Sequence, residues 1–424
     1  MSLVENFVDF LNRRSESKFW LVPSSGFGNR SHEFRYGLIA SEISLRRLSC
    51  INRVRLPRPF PKTNNAFRHL RSQHLNSTEN RIFKFFVSVF VNILFLCDFL
   101  ISLRRAQISR SSYDLNLHPS AGSYRAFEVC LGLSCFDMDK NIISNECWRT
   151  PHIWFKDSEY ARLEIAKRKL GLKRDGWYAC LHVRDGGFYG DHNNYRNADV
   201  LTFKKAISEI ERRGGQVLRM GNASSAELNQ DIGVIDYAHS AIRSDYLDLS
   251  LIAHCDLFIG QQSGPVDTAL LFNRKVVLTN MDILMEWPLL KSNDRGIMRH
   301  LFDSKEMRRL SIFERLSQPY ENDLEFLRVA AGYRNDDLSV INNSEEEIYD
   351  LVVESLDLEI NGWLFSPIQE EFDKVRKNRI IDTYHHKRES SQIKRLNLYF
   401  YRDLLRMNAK GTLANFFLEK YWSK

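Results

Sequence analysis

The residues most suited to chemistry sit where short apolar runs give way to glycine. Trp177 to Val183 is such a run, and it passes through His182, Arg184 and Asp185 into Gly186-Gly187. If the run is a strand, alternation puts His182 and Arg184 on one face. A guanidinium taken out of water needs an anion. A diphosphate meets that need, because Arg grips it through two parallel N–H donors; a salt bridge to Asp185 or another carboxylate would also meet it. Four further stretches share the pattern. Gly26-Phe27-Gly28-Asn29-Arg30-Ser31-His32 follows Phe19 to Val22. Its glycines allow a tight turn and close ligand approach, ahead of a helix N-terminus able to hold a phosphate. The third glycine of the dinucleotide fingerprint is missing, which argues against NAD. Arg219-Met220-Gly221 puts another arginine at a run's end, and Ser244-Asp245 opens a helix in which Asp248 is placed to read a ribose or base edge, or simply to suit the helix dipole. Gly260-Gln261-Gln262-Ser263-Gly264-Pro265 offers backbone N–H groups and the Ser263 hydroxyl to a phosphate. Between these lies a polar stretch with Tyr195, Arg196 and Asn197, readable as a substrate loop or a solvated one.

The elements that must position these residues follow from periodicity. Strands are expected at Phe19–Val22, Trp177–Val183, Gln216–Met220, Leu257–Gly260 and Val276–Thr279. Helices are expected at His32–Leu48, Ser158–Leu170, Val200–Arg213, Asp245–Cys255 with Ser244 as N-cap, Pro265–Phe272 and 345–359. Strands alternating with helices of about ten residues mean a parallel sheet with crossover helices. Two α/β lobes are expected, about 1–155 and 156–345, followed by a helical tail over 346–424. Residues 56–80 read as an irregular linker, and 106–150 carry no clear period. In open sheets of this class ligands sit at the carboxyl ends of the strands, where these residues fall.

The 424 residues carry a net charge of +7 with 43% hydrophobic residues, which excludes a disordered chain, a collagen-like fibre and a polytopic membrane protein. The charge is uneven: residues 1–110 hold 18 Lys/Arg and 7 Asp/Glu, a net +11 against −4 in the remainder. Such a basic first quarter suits an anionic partner. No nucleic-acid motif accompanies it, so nucleic acid is not expected. The seven cysteines include no C-x-x-C pair, and the N-terminus lacks a secretory signal, so free thiols in the cytoplasm are expected. Residues 82–103 are strongly apolar, but Lys84 and Asp98 leave only 13 uncharged residues between them, short of a spanning helix. A core helix, an interfacial helix on the inner face of the cytoplasmic membrane and a spanning helix all stay open. Asp137-Met138-Asp139 is a carboxylate pair of the kind that binds a divalent ion in some sugar transferases.

Taken together, H-V-R-D-G-G-(x)3-D-(x)3-Y-R-N, R-M-G, D-Y-A, R-S-D-(x)2-D and the strand ending G-x-x-S-G resemble a family of bacterial glycosyltransferases associated with surface-polysaccharide genes. The resemblance covers about residues 175–290. More remotely, G-x-G-N and H-x-R are similar to motifs of the fucosyltransferase superfamily, although Asp-Gly-Gly follows the H-x-R here. The resemblance implies a GT-B-like fold, two Rossmann-like lobes facing a cleft, and a nucleotide-sugar donor in the second lobe, with no resident cofactor and no metal. It implies that Arg184 contacts the donor diphosphate, with Ser263 near the phosphates and Asp248 near the nucleoside. Gly26, Gly28, Asn29, Arg30, Asp185, Arg219, Gly221, Asp245 and Gly264 complete the expected donor contacts. The acceptor would be a glycan or lipid-linked sugar, with His32 the first candidate for the base and His182, Asp185 and Glu33 as alternatives. Pyruvyl transfer to a glycan, and non-catalytic anion or membrane binding, are the competing readings.

Overall fold

The structure is a computed structural model of the 424-residue chain. It describes residues 18–22, 27–43, 48–52, 70–72, 151–187, 196–222, 224–228, 232–282, 287–317, 338–361, 365–389 and 406–423, with a few positions among 7–11 and 86–93. The chain divides into two compact units, one of residues 1–143 with 149–157, the other of 144–148 with 158–424.

In the first unit, β1 (Lys18–Val22), α1 (Phe27–Ile43) and β2 (Leu48–Asn52) form one βαβ turn, the strands parallel and in register from Lys18↔Leu48 to Val22↔Asn52. Helix α1 begins at Phe27, five residues before its expected start. Gly28, Asn29 and Arg30 therefore lie in its first turn, not in a loop ahead of it. Tyr36, Leu38 and Ile39 of α1 are fully buried. The stretch expected as an irregular linker contains β3 (Leu70–Arg71), antiparallel to β4 (Trp154–Phe155). Residues 106–150, with Asp137 and Asp139, lie outside the described residues.

The second unit is built on a seven-stranded parallel sheet. Along the chain come α2 (Asp157–Lys169), β5 (Tyr178–His182), α3 (Lys204–Arg212), β6 (Gln216–Arg219), β7 (Val234–Asp236), α4 (Asp245–His254), β8 (Leu257–Gly260), α5 (Gly264–Leu271), β9 (Lys275–Met281) and β10 (Arg295–Met298). There follow β11 (His300–Asp303), β12 (Arg308–Arg309), α6 (Ile312–Ser317), β13 (Leu338–Ile341), α7 (Glu345–Asn361), α8 (Pro367–Glu389), β14 (Thr412–Leu413) and α9 (Asn415–Tyr421). The strand order across the sheet is β14-β10-β9-β8-β5-β6-β7. Counting β5 as first, this is the 3-2-1-4-5-6 order of a doubly wound sheet with one strand added. All of β8 and β9 is buried, which is why residues 257–259 and 276–278 within them read as short apolar runs and not as alternation.

Helix positions follow the same physics. Ser244 caps α4 by accepting from Leu247 N–H, and seven of that helix's ten residues are buried. The helix expected from Val200 opens with a 3-10 turn, Val200–Phe203, because Asp199 accepts from Leu201 N–H and starts the coil tightly. Residues 346–424, expected as a helical tail, also add β14 to the sheet edge, parallel to β10. Gln369 of α8 donates to the Leu413 carbonyl at 2.8 Å, and Tyr421 of α9 donates to Glu347 of α7 at 2.6 Å. β11, β12 and β13 make a separate antiparallel sheet that the sequence pattern did not reveal.

At the amino ends of β9 and β10, Asp294 is fully buried and accepts from the N–H groups of Val276 (3.0 Å), Leu290 (3.0 Å) and Lys291 (2.8 Å). Leaving buried donors unsatisfied costs about 1–3 kcal/mol each. Asp294→Ala is therefore expected to remove about 3 kcal/mol or more of unfolding free energy in urea titration. A loss below about 1 kcal/mol would mean that these amides find other partners.

Candidate functional site

The chain leaves β5 for β6 on one side of the sheet and, after returning in β8, continues to β9 on the other. The strand order reverses between β5 and β8, which are paired from Ala179↔Leu257 to His182↔Gly260. A crevice opens beyond the carboxyl ends at such a point, and it is where ligands bind in this class of sheet. Gly260 is required there: a Cβ on it would stand 2.7 Å from the His182 carbonyl oxygen.

Three of the expected residues meet at this reversal. The Ser263 hydroxyl lies 3.1 Å from His182 Nδ1 and 3.1 Å from the Gln261 carbonyl. Ser263 occupies the N-cap position of α5 but makes no side-chain cap bond, its hydroxyl being turned to His182 instead. Gly264 opens α5, so the positive end of that helix dipole faces the same edge. The Arg184 backbone N–H donates to Gln261 Oε1 at 2.7 Å, and its Nε to Asn197 Oδ1 at 3.3 Å. These two bonds fix the base of a half-buried guanidinium beside the β5–β8 junction. Burial pushes the His182 imidazole down to about 4, with Arg184 and Arg219 adding to the shift against Asp185. At neutral pH His182 is uncharged, so the cation at the junction is Arg184. Among the described residues no carboxylate bonds to His182, so the Ser263–His182 contact lacks the acid of a nucleophile triad.

Other expected donor contacts, like Arg184 and Ser263, have partners within the fold. Asp185 accepts from Gly187 N–H (3.1 Å) and Ala226 N–H (2.9 Å), closing the turn after β5. That turn needs glycine, since a Cβ on Gly187 would meet the Ser224 carbonyl oxygen at 1.7 Å. Arg219 is buried and donates to Asp236 at 3.2 Å and to the Ala226 carbonyl at 2.5 Å. Asp248 accepts from Tyr237 Oη and from Arg243 Nη2, both at 2.8 Å, while Arg243 Nε donates to the Gly221 carbonyl at 2.8 Å. Burial lifts the Asp248 carboxyl to about 6 in spite of Arg243. Asp185, Arg219 and Asp248, expected to face a donor, thus spend their side chains on the loops that frame the junction. Asp245 is exposed in the first turn of α4.

A polar group lies next to the junction: Arg196 was expected in a substrate loop and Gln261 and Gln262 stand in the expected phosphate loop, while Asn280, Asp282 and Arg299 were missed. Arg196, Gln261, Gln262, Asn280, Asp282 and Arg299 line a small pocket at the carboxyl ends of β8, β9 and β10. Arg196 donates to the Gln262 carbonyl. Arg299 donates to the carbonyls of Asn280 (2.8 Å) and Arg196 (2.9 Å). Asn280, held at a positive φ of 49°, exchanges reciprocal bonds with Asn343 at 2.6 and 2.7 Å. The adjacent Gln261-Gln262 was the available signal, since amides rarely end a buried strand without a partner to hold. Asn197, expected in a substrate loop, orients Arg184, and Asn342 donates to its carbonyl at 3.1 Å. Tyr195 and Gly26 lie outside the described residues; Gly28, Asn29, Arg30, His32 and Glu33 are placed only as backbone positions of α1.

Comparison of the chain with protein-family models, with curated proteins and with solved structures returned no match. Among the described residues no cluster of three or more His, Cys, Asp or Glu side chains is placed to hold a metal ion.

The His182 assignment has a pH signature. Its folded pKa, about 4, lies below the ordinary 6.5, so between these values the unfolded chain binds more protons. The stability that neutral His182 contributes is present above about 6.5 and is lost as pH falls toward about 4. His182→Gln is expected to lack this part of the acid sensitivity when the two chains are compared by urea titration across that window. An NMR titration midpoint for His182 at or above 6.5 would contradict the burial argument.

Proposed function

We propose that this chain is a glycosyltransferase that binds the diphosphate of a nucleotide-sugar at the β5–β8 junction and passes the sugar to a glycan or lipid-linked acceptor. One observation carries the reading: the strand-order reversal coincides with Arg184, Ser263 and the N-terminus of α5. The reading extends to a GT-B-like arrangement, in which the first unit takes the acceptor and the second the donor.

Cleaving the bond between the anomeric carbon and the diphosphate oxygen puts negative charge on that oxygen. Arg184, pinned by Gln261 and Asn197, is placed to neutralise it, and the dipole of α5 acts in the same sense. The Ser263 hydroxyl, held between His182 and the Gln261 carbonyl, would exchange its bond to that carbonyl for one to a phosphate oxygen, which α5 does not contest. The proton of the acceptor hydroxyl goes to a base on the acceptor side, for which His32 is the candidate. Surface-polysaccharide synthesis is the setting that the sequence resemblance suggests.

The test is a thermal-shift panel of UDP, GDP, nucleotide-sugars, phosphoenolpyruvate and oligonucleotides, followed by transfer assays with whichever donor stabilises the fold. A nucleoside diphosphate is expected to raise the melting temperature, and oligonucleotides are not. Arg184→Ala is expected to lower kcat/KM for transfer by roughly 100-fold or more while leaving the melting temperature of the free protein nearly unchanged. Normal transfer by that variant refutes the role given to Arg184. Stabilisation by phosphoenolpyruvate alone favours pyruvyl transfer.

A further inference from the structure

The first unit exposes an apolar face that a fold made only for water would cover. Phe86, Phe90 and Ile93 expose 63%, 45% and 52% of their surface. All three are helical, and their spacing of four and three residues places them on one side of the helix. Val87, about 100° round the helix from Phe86, is 6% exposed and marks the side on which the helix packs. Helical residues at the N-terminus extend the face: the Phe7 ring meets the Phe90 ring edge-on at 4.8 Å, and Phe10 is 46% exposed. Scattered single hydrophobics at a surface are ordinary, but large aromatics grouped on one face mark a contact surface.

Charge says what kind of surface it contacts. Arg81 and Lys84 precede the helical residues in sequence, and Arg104, Arg105 and Arg110 follow them; Arg13 and Arg14 follow Phe10. The first 110 residues carry +11 in all. An apolar helical face with basic flanks fits the headgroup region of a bilayer with anionic lipids, where rings enter the acyl boundary and cations meet phosphates. Among the described residues no helix is long and apolar enough to cross a membrane; in the sequence, Lys84 and Asp98 leave 13 uncharged residues between them, short of a span, which favours lying on the bilayer.

We infer that Phe10, Phe86, Phe90 and Ile93 seat the first unit on an anionic membrane surface. This rests on the face and its charges alone and stands apart from the nucleotide-sugar reading. Where both hold, the acceptor is lipid-linked.

The experiment is co-sedimentation of the full chain with vesicles of phosphatidylcholine, and of phosphatidylcholine with about 30% phosphatidylglycerol, at low and high salt. The wild type is expected to sediment with the anionic vesicles and to be largely released by high salt. Phe86→Ser with Ile93→Ser is expected to lower the bound fraction at low salt, with a partition coefficient reduced roughly tenfold or more. A folded double variant, judged by circular dichroism, that binds as the wild type does overturns the inference. So does a wild type that ignores anionic vesicles, a result that decides the matter even if the variant fails to fold. A wild type that binds no vesicle but forms a dimer which the double substitution dissociates overturns it in favour of self-association.

Discussion

The pairing of β5 with β8 is the constraint on which the candidate site depends. Two parallel strands can run side by side only if their connections travel over the sheet and return. Here the connections leave toward opposite edges, so the space beyond His182 and Gly260 is closed by no crossover of its own. The approach is tight enough to demand glycine at 260. That closeness brings the β8 exit loop against the β5 exit loop, and Gln261 and Ser263 then bond to Arg184 and His182 across the gap. The chemistry proposed for Arg184 is a consequence of backbone geometry first and of side-chain choice second.

Around this junction the protein spends charged side chains on holding loops. The Arg219–Asp236 pair ties β6 to the end of β7, and His239, on the same carboxylate at 2.9 Å, adds the turn that follows. The Arg243–Asp248–Tyr237 group ties the turn before α4 to Gly221 after β6. Pairs of this kind add little net stability over apolar residues of the same volume, but breaking one partner is costly. Their value is position: they fix where the strand-end loops stand. Cys180 and Cys255, both free and buried, belong to the apolar interior below the junction and not to its chemistry.

Much of this was legible in the sequence, for physical reasons that also explain the failures. β8 and the middle of β9 were readable because strands buried on both faces are rich in consecutive apolar residues, here 257–259 and 276–278. α4 was readable because Ser244 announces its start. β7, three half-buried residues, carries too little pattern to be seen, and β14 has only two. The coincidence of His182, Arg184 and Ser263 was foreseeable from strand-end logic, but strand order was not, and it is strand order that makes β5 and β8 neighbours. The loop-holding contacts of Asp185, Arg219 and Asp248 were not foreseen, because a charged residue at a strand end or in a helix's first turn looks the same in sequence whatever it bonds to. Only the distances to Ala226, Asp236 and Tyr237 reveal those contacts.

The proposed function places a diphosphate group at the reversal of strand order. The most direct measurement is a crystal structure of the protein soaked with a nucleoside diphosphate. The account predicts density for the phosphates beyond the carboxyl ends of β5 and β8, within hydrogen-bonding distance of the Arg184 guanidinium and the Ser263–Gly264 segment. Phosphates bound at the amino ends of the sheet, or held by the second unit away from Arg184, would contradict it.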